Sequence, residues 1–181
     1  GLVIFLAVMT GTPGPANMLL ISAAARYGLA PAWPFALGVI LGMQIVTWPV
    51  GLGLLAVAQR APFVFDTLRW LCAAYIVWLA WRIARTRVDR ATRGEAAPGL
   101  LRGLLVHPLN PKAWAIAAGA FTQFAPTSGG PLAATATIAL VMLLIGLALQ
   151  GTWFVGGGAL TRLIARRPVE PWAMRGLGVL T

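Results

Sequence analysis

The sequence predicts an all-α membrane protein: a polytopic bundle of about six transmembrane helices, built as two inverted three-helix repeats with helices 1 and 4 interrupted. Three observations predict it. Of 181 residues, 59% are hydrophobic and 10% charged, against about 25% charged in a water-soluble domain. The apolar residues come in runs long enough to cross a bilayer, which takes about 20. Two of these runs, at corresponding places in the two halves, are broken by prolines.

Segment one runs from Leu2 to about Ala25 and contains Gly11-Thr12-Pro13-Gly14-Pro15-Ala16-Asn17. Pro13 and Pro15 lack an N–H, so the carbonyls of Met9 and Gly11 lose their helical partners. In hydrocarbon a freed carbonyl costs several kcal/mol unless protein or trapped water satisfies it. The break is therefore expected inside a bundle, beside a cavity. About nine residues on either side, or about 13 Å each, put it near the membrane midplane. A new helix starts at Pro15, and its positive dipole end suits an anion.

Arg26-Tyr27-Gly28 reads as a turn. Pro31, Trp33 and Pro34 start segment two, which runs to about Ala58, with a kink at Pro49. Gly38 and Gly42 form a GxxxG spacing, read as close helix packing within the bundle. Gln44 and Thr47 are polar residues that should face the interior. Segment three follows from Thr67 to about Arg82, with Trp70 and Trp81 as interfacial anchors. Residues 82–102 are the long polar stretch and read as a solvated cytoplasmic connector. The single domain, 1–181, thus divides into half one (1–85), connector (86–101) and half two (102–181).

Segment four, Gly103 to Phe124, holds the second break: His107-Pro108-Leu109-Asn110-Pro111-Lys112. Pro108 and Pro111 free the carbonyls of Leu104 and His107. Asn110 caps a helix that starts at Pro111. Lys112 stands in its first turn, an electrostatically poor place for a cation, and so is a candidate functional residue. Segment five runs from Leu132 to about Val155, with Gln150 as its polar member, and Gly156-Gly157-Gly158 is expected to end or loosen it. Segment six starts near Met174. The chain begins inside one apolar segment and ends as another begins, so it is expected to be a fragment of a longer protein.

An odd number of helices per half makes the halves point opposite ways. Arginine distribution agrees: Arg26, the group from Arg82 to Arg102, and Arg162 to Arg175 follow segments one, three and five, whereas only Arg60 and Arg69 follow segment two. Inverted repeats with interrupted helices in matching places point to a transporter's substrate site.

Composition also excludes. The net charge of +10 lies in loops that face anionic lipid, so nucleic acid is not the expected partner. Cys72 and His107 are the sole cysteine and histidine, which leaves no cysteine pair for redox work and no metal cluster. No cofactor is expected. An intramembrane protease using Ser22 and His107 has no supporting motif, and a thiol-redox carrier lacks its second cysteine. A channel or another small-solute carrier built on the same broken helices remains the alternative.

Thr12-Pro13-Gly14-Pro15-Ala16-Asn17 resembles the first signature of the LysE/RhtB family of amino-acid exporters, and Asn110-Pro111-Lys112-Ala113 resembles its second. Arg69 to Arg82, with Ala74-Tyr75 and Trp78, is similar to the third family helix. The resemblance covers essentially the whole chain. It implies a multi-pass bacterial inner-membrane protein that exports amino acids or analogues, driven by the proton gradient, with a homo-oligomer compatible. The family's motif positions fall on Pro13, Gly14, Pro15, Asn17, Asn110, Pro111 and Lys112.

The expected substrate site joins the two breaks: Thr12, Pro13, Gly14, Pro15, Asn17, Gln44, Asn110, Pro111, Lys112 and Gln150. The α-carboxylate would meet the helix starts at Pro15 and Pro111 and the charge of Lys112. The α-ammonium would meet freed carbonyls of Met9, Gly11, Leu104 or His107. His107 is a candidate proton carrier. No Asp or Glu lies inside an apolar segment, so a neutral or hydroxylated amino acid is expected rather than a dibasic one.

Overall fold

The computed structural model describes residues 1–54, 96–126 and 130–166, with positions 70 and 74; for 54 and 160–166 it describes the backbone only. Segments three and six lie outside the described residues, apart from those two positions. So do Cys72, Tyr75, Trp78, Trp81 and the connector as far as Glu95. Among the described residues every regular element is a helix.

The first apolar run is two helices, α1 (Leu2–Gly11) and α2 (Pro15–Tyr27), which meet at 54°. The prolines set the bend, because the helical ladder cannot continue through Pro13 and Pro15. Gly28 ends α2 at φ +86°, which only glycine adopts easily, and α3 (Leu29–Pro49) starts at once. Pro34 therefore lies inside α3 rather than at its start. Past Pro49 the stretch Val50–Leu54 is kinked: Gly53 leaves helical geometry at φ +114°, so the bend expected at Pro49 falls at a glycine four residues on.

The second half opens with a short helix, α4 (Leu100–Leu104), then turns through 105–109 into α5 (Pro111–Phe124). α6 (Gly130–Arg166) follows. Among the described residues two spans are long and apolar enough to cross a membrane, Leu29–Gly53 and Gly130–Ala159, and the bent α1–α2 pair would make a third.

The GxxxG of α3 packs on α4. A Cβ on Gly38 would lie 2.2 Å from the Leu100 carbonyl oxygen, and one on Gly42 would lie 2.6 Å from that of Leu104. Gly103 returns the contact against the Phe35 carbonyl. Backbones this close exclude any side chain, as small-residue helix packing requires. The Leu104 carbonyl, freed by Pro108, is thereby covered by the α3 backbone.

The Gly156-Gly157-Gly158 expectation needs correction. α6 runs through all three residues. A Cβ on Gly157 would come within 2.6 Å of the Ile21 carbonyl, and one on Gly158 within 2.8 Å of Leu29. Gly157 and Gly158 bring α6 against the α2 backbone and the start of α3, Gly156 has open space beside it, and none of the three ends the helix.

Two clusters form the interior. Leu6, Met43, Val46, Ile116 and Ile138 lead the first. Leu20, Phe35, Val39 and Phe154 lead the second. On the outside, Val3, Ile4 and Val8 of α1 and Leu140, Leu144 and Leu147 of α6 are exposed. Apolar surface of that extent marks a membrane or protein contact.

Candidate functional site

The two proline breaks meet. The Lys112 ammonium donates to the Thr12 carbonyl at 3.0 Å, across 100 residues of chain. Lys112 also lies against Gly14, where a Cβ would sit 3.3 Å from its Cδ and Nζ.

Each break is mended by its own side chains. The Asn17 amide donates to the carbonyls of Thr10 (2.9 Å) and Thr12 (3.1 Å), so α2 reaches back over the gap to the end of α1. The Asn110 side chain accepts from the Lys112 N–H at 3.0 Å and caps α5. Trp114 Nε1 donates to the Pro108 carbonyl at 2.9 Å. The His107 carbonyl, expected to be free, accepts from the Asn110 N–H at 2.9 Å; the turn is tight enough to close its own bond. No side chain caps the N-terminus of α2.

Between the breaks lies a cavity. It takes Met9 and Thr10 from α1, Gly14 from the break, Ala16 and Asn17 from α2, and Met43 from α3. His107, Asn110, Lys112, Ala113 and Ile116 line it from the second break and α5, and Met142, Gly146 and Gln150 from α6. Asn17, His107, Asn110 and Gln150 are buried polar side chains. Gln150 Nε2 lies 3.0 Å from His107 Nε2, while His107 Nδ1 has no hydrogen-bond partner among the described residues. Among those residues the lining holds one lysine and no carboxylate.

Of the residues expected at the site, Gly14, Asn17, Asn110, Lys112, Gln150 and His107 come together at this cavity. Pro15 and Pro111 start the helices that flank it. The side chains of Thr12 and Pro13 are exposed; what Thr12 brings to the site is its carbonyl. Gln44 does not line the cavity. Its amide donates to the Ala139 carbonyl at 3.1 Å, joining α3 to α6.

Sequence reasoning named Met9 for its carbonyl and missed Thr10, Ala16, Met43, Ala113, Ile116, Met142 and Gly146. One signal was present: positions 142, 146 and 150 fall on one helical face with Gln150. Met43 shows the limit of such reasoning. It is adjacent to Gln44, about 100° round the helix, and only the packing decides which of the two meets the cavity.

The family described as LysE type translocator matches residues 7–181. The leucine efflux protein of Enterobacter sp. (strain 638) is 29% identical over 123 residues, 64% of this chain and 58% of that protein. The leucine efflux protein of Klebsiella pneumoniae subsp. pneumoniae is 25% identical over 162 residues, 86% of this chain and 76% of that one. The cysteine/O-acetylserine efflux protein of Salmonella typhimurium is 38% identical over 73 residues, 40% of this chain and 37% of that one. The chain thus spans little more than half of the Enterobacter relative and less of the Salmonella one. No solved structure matches the chain.

Proposed function

Because the chain belongs to the LysE type translocator family, we propose that it exports amino acids across a bacterial inner membrane by secondary transport, with the proton gradient as energy source. The substrates are neutral or hydroxylated amino acids. Access alternates around the cavity between the two breaks, with the halves 1–85 and 102–181 rocking against each other as inverted three-helix repeats.

The observation that carries this reading is the Lys112 contact to Thr12. It puts a cation and helix-end carbonyls at one polar cavity, which is what a zwitterion needs. A water molecule's centre can move through about 30 Å³ of that cavity. This is room for water but not for a whole amino acid, so substrate entry calls for the lining to move apart.

The exchange then follows from charge. The Lys112 ammonium occupies a carbonyl that a substrate's ammonium could take. An arriving amino acid replaces one ammonium with another at Thr12, and the released Lys112 pairs with the α-carboxylate. The uncapped α2 N-terminus adds its dipole on the carboxylate side. Among the described residues the lining has no Asp or Glu to meet a second positive charge, which disfavours dibasic substrates. The amino acids in the names of the relatives, leucine in two and cysteine or O-acetylserine in the third, carry no net charge as zwitterions. His107 is the candidate proton carrier, since apart from Lys112 it is the one titratable side chain among the described residues of the lining.

Cells loaded with single amino acids, supplied as dipeptides, test the proposal. Wild-type efflux should be saturable and stop with an uncoupler. Lys112→Ala and Asn110→Ala should lower it at least about tenfold, the scale of one lost charge-assisted bond, with the protein still in the membrane. Wild-type rates from both variants would remove the site.

A further inference from the structure

We infer that Gly146 sets the upper size limit of the side chain that the carrier accepts. This rests on the transport site proposed above. The cavity's polar groups come largely from the breaks: Gly14, Asn17, Asn110 and Lys112. An amino acid held there by its charged ends must direct its side chain to the rest of the lining, where Met43, Ile116, Met142 and Gly146 stand.

Glycine in mid-helix is unfavourable relative to alanine, so a buried one calls for a reason. For Gly38, Gly42, Gly103 and Gly157 the reason is backbone contact: a Cβ on any of them would come within 2.6 Å of a neighbouring carbonyl oxygen. Gly146 has no such neighbour. A Cβ there would meet Gln150 Oε1 and Ile40 Cγ2, both at 3.5 Å, which is ordinary contact. Its φ is not in the left-handed region either. Neither packing nor backbone conformation demands glycine at 146. Gly151 and Gly156 are also unconstrained, but they do not line the cavity.

What the missing side chain provides is room beside the cavity. On one face of α6 the order is Met142, Gly146, Gln150: a flexible thioether, a gap, and a hydrogen-bonding amide. Met43 and Met142 can shift their unbranched side chains to fit different guests. A glycine cannot yield further, and anything larger at 146 has to take space from the guest or displace Gln150. Branched aliphatic side chains, such as that of leucine, need this gap; a hydroxymethyl group does not.

The test compares leucine and serine efflux from cells loaded with the corresponding dipeptides, for wild type, Gly146→Ala, Gly146→Val and Lys112→Ala, with membrane content followed by immunoblot. The leucine-to-serine rate ratio should fall about tenfold in Gly146→Val, as one or two methyl groups in a snug pocket imply, and by less in Gly146→Ala. The alanine methyl fits at contact distance, so that variant decides the matter if the valine protein fails to insert. An unchanged ratio overturns the size limit; if Lys112→Ala still abolishes both effluxes, the transport site itself stands. Wild-type efflux of both amino acids from Lys112→Ala overturns the site and the size limit together.

Discussion

Asn17 holds the first break together. Its amide is buried and serves two carbonyls at once, those of Thr10 and Thr12. Without it, the Thr12 carbonyl keeps Lys112 while that of Thr10 loses its donor, and a buried unsatisfied group costs about 1–3 kcal/mol. Asn17→Leu is therefore expected to lower the unfolding temperature of the detergent-purified protein and to loosen the angle between α1 and α2. A melting curve equal to wild type would mean that other groups satisfy those carbonyls. Lys112 is a different case. Its contact to Thr12 spans the two breaks, so its loss should show in transport more than in stability. Measuring efflux and melting temperature on the same variants separates the two roles.

The contact of α3 with α4 has no slack. Gly38 and Gly42 meet the carbonyls of Leu100 and Leu104, and Gly103 meets that of Phe35. Gly38→Ala would place a methyl 2.2 Å from a backbone oxygen, and neither helix can rotate away without uncovering the other glycines. Overpacking of this kind costs about 1–3 kcal/mol. The expected result is less protein in the membrane and earlier thermal unfolding, whereas Gly146→Ala should insert normally. Equal behaviour of the two variants would contradict the geometry at Gly38. Gly157 and Gly158 belong with this group. Periodicity could not distinguish a glycine that ends a helix from one that lets a neighbour approach, because both leave the same gap in the pattern. The neighbour decided it: Ile21 against Gly157 and Leu29 against Gly158.

At the scale of the whole molecule, the two breaks border a shared cavity, and α1 and α6 turn apolar residues outward. If the halves rock around that cavity, its lining must be reachable from each side of the membrane in turn. With Cys72 replaced by serine, single cysteines at Ala16 and Ile116 should react with a membrane-impermeant thiol reagent from either face. Added substrate should change the balance between the faces. Labelling confined to one face under all conditions would rule out alternating access and favour a fixed pocket.

Composition and local chemistry were enough, by themselves, for the membrane class, the two proline breaks, the helix starts at Pro15 and Pro111, the cap at Asn110 and the turn at Gly28. Each of these follows from a short stretch of chain: a missing N–H, a missing Cβ, or a side chain that bonds its own backbone. The partnerships were decided by the tertiary structure alone. That Lys112 reaches Thr12, that Gln150 meets His107 while Gln44 joins α3 to α6, and that Gly146 opens onto a cavity while Gly157 lies on a backbone all depend on which helix faces which. Residue spacing along one helix fixes its faces, but only packing against the others chooses which face turns inward.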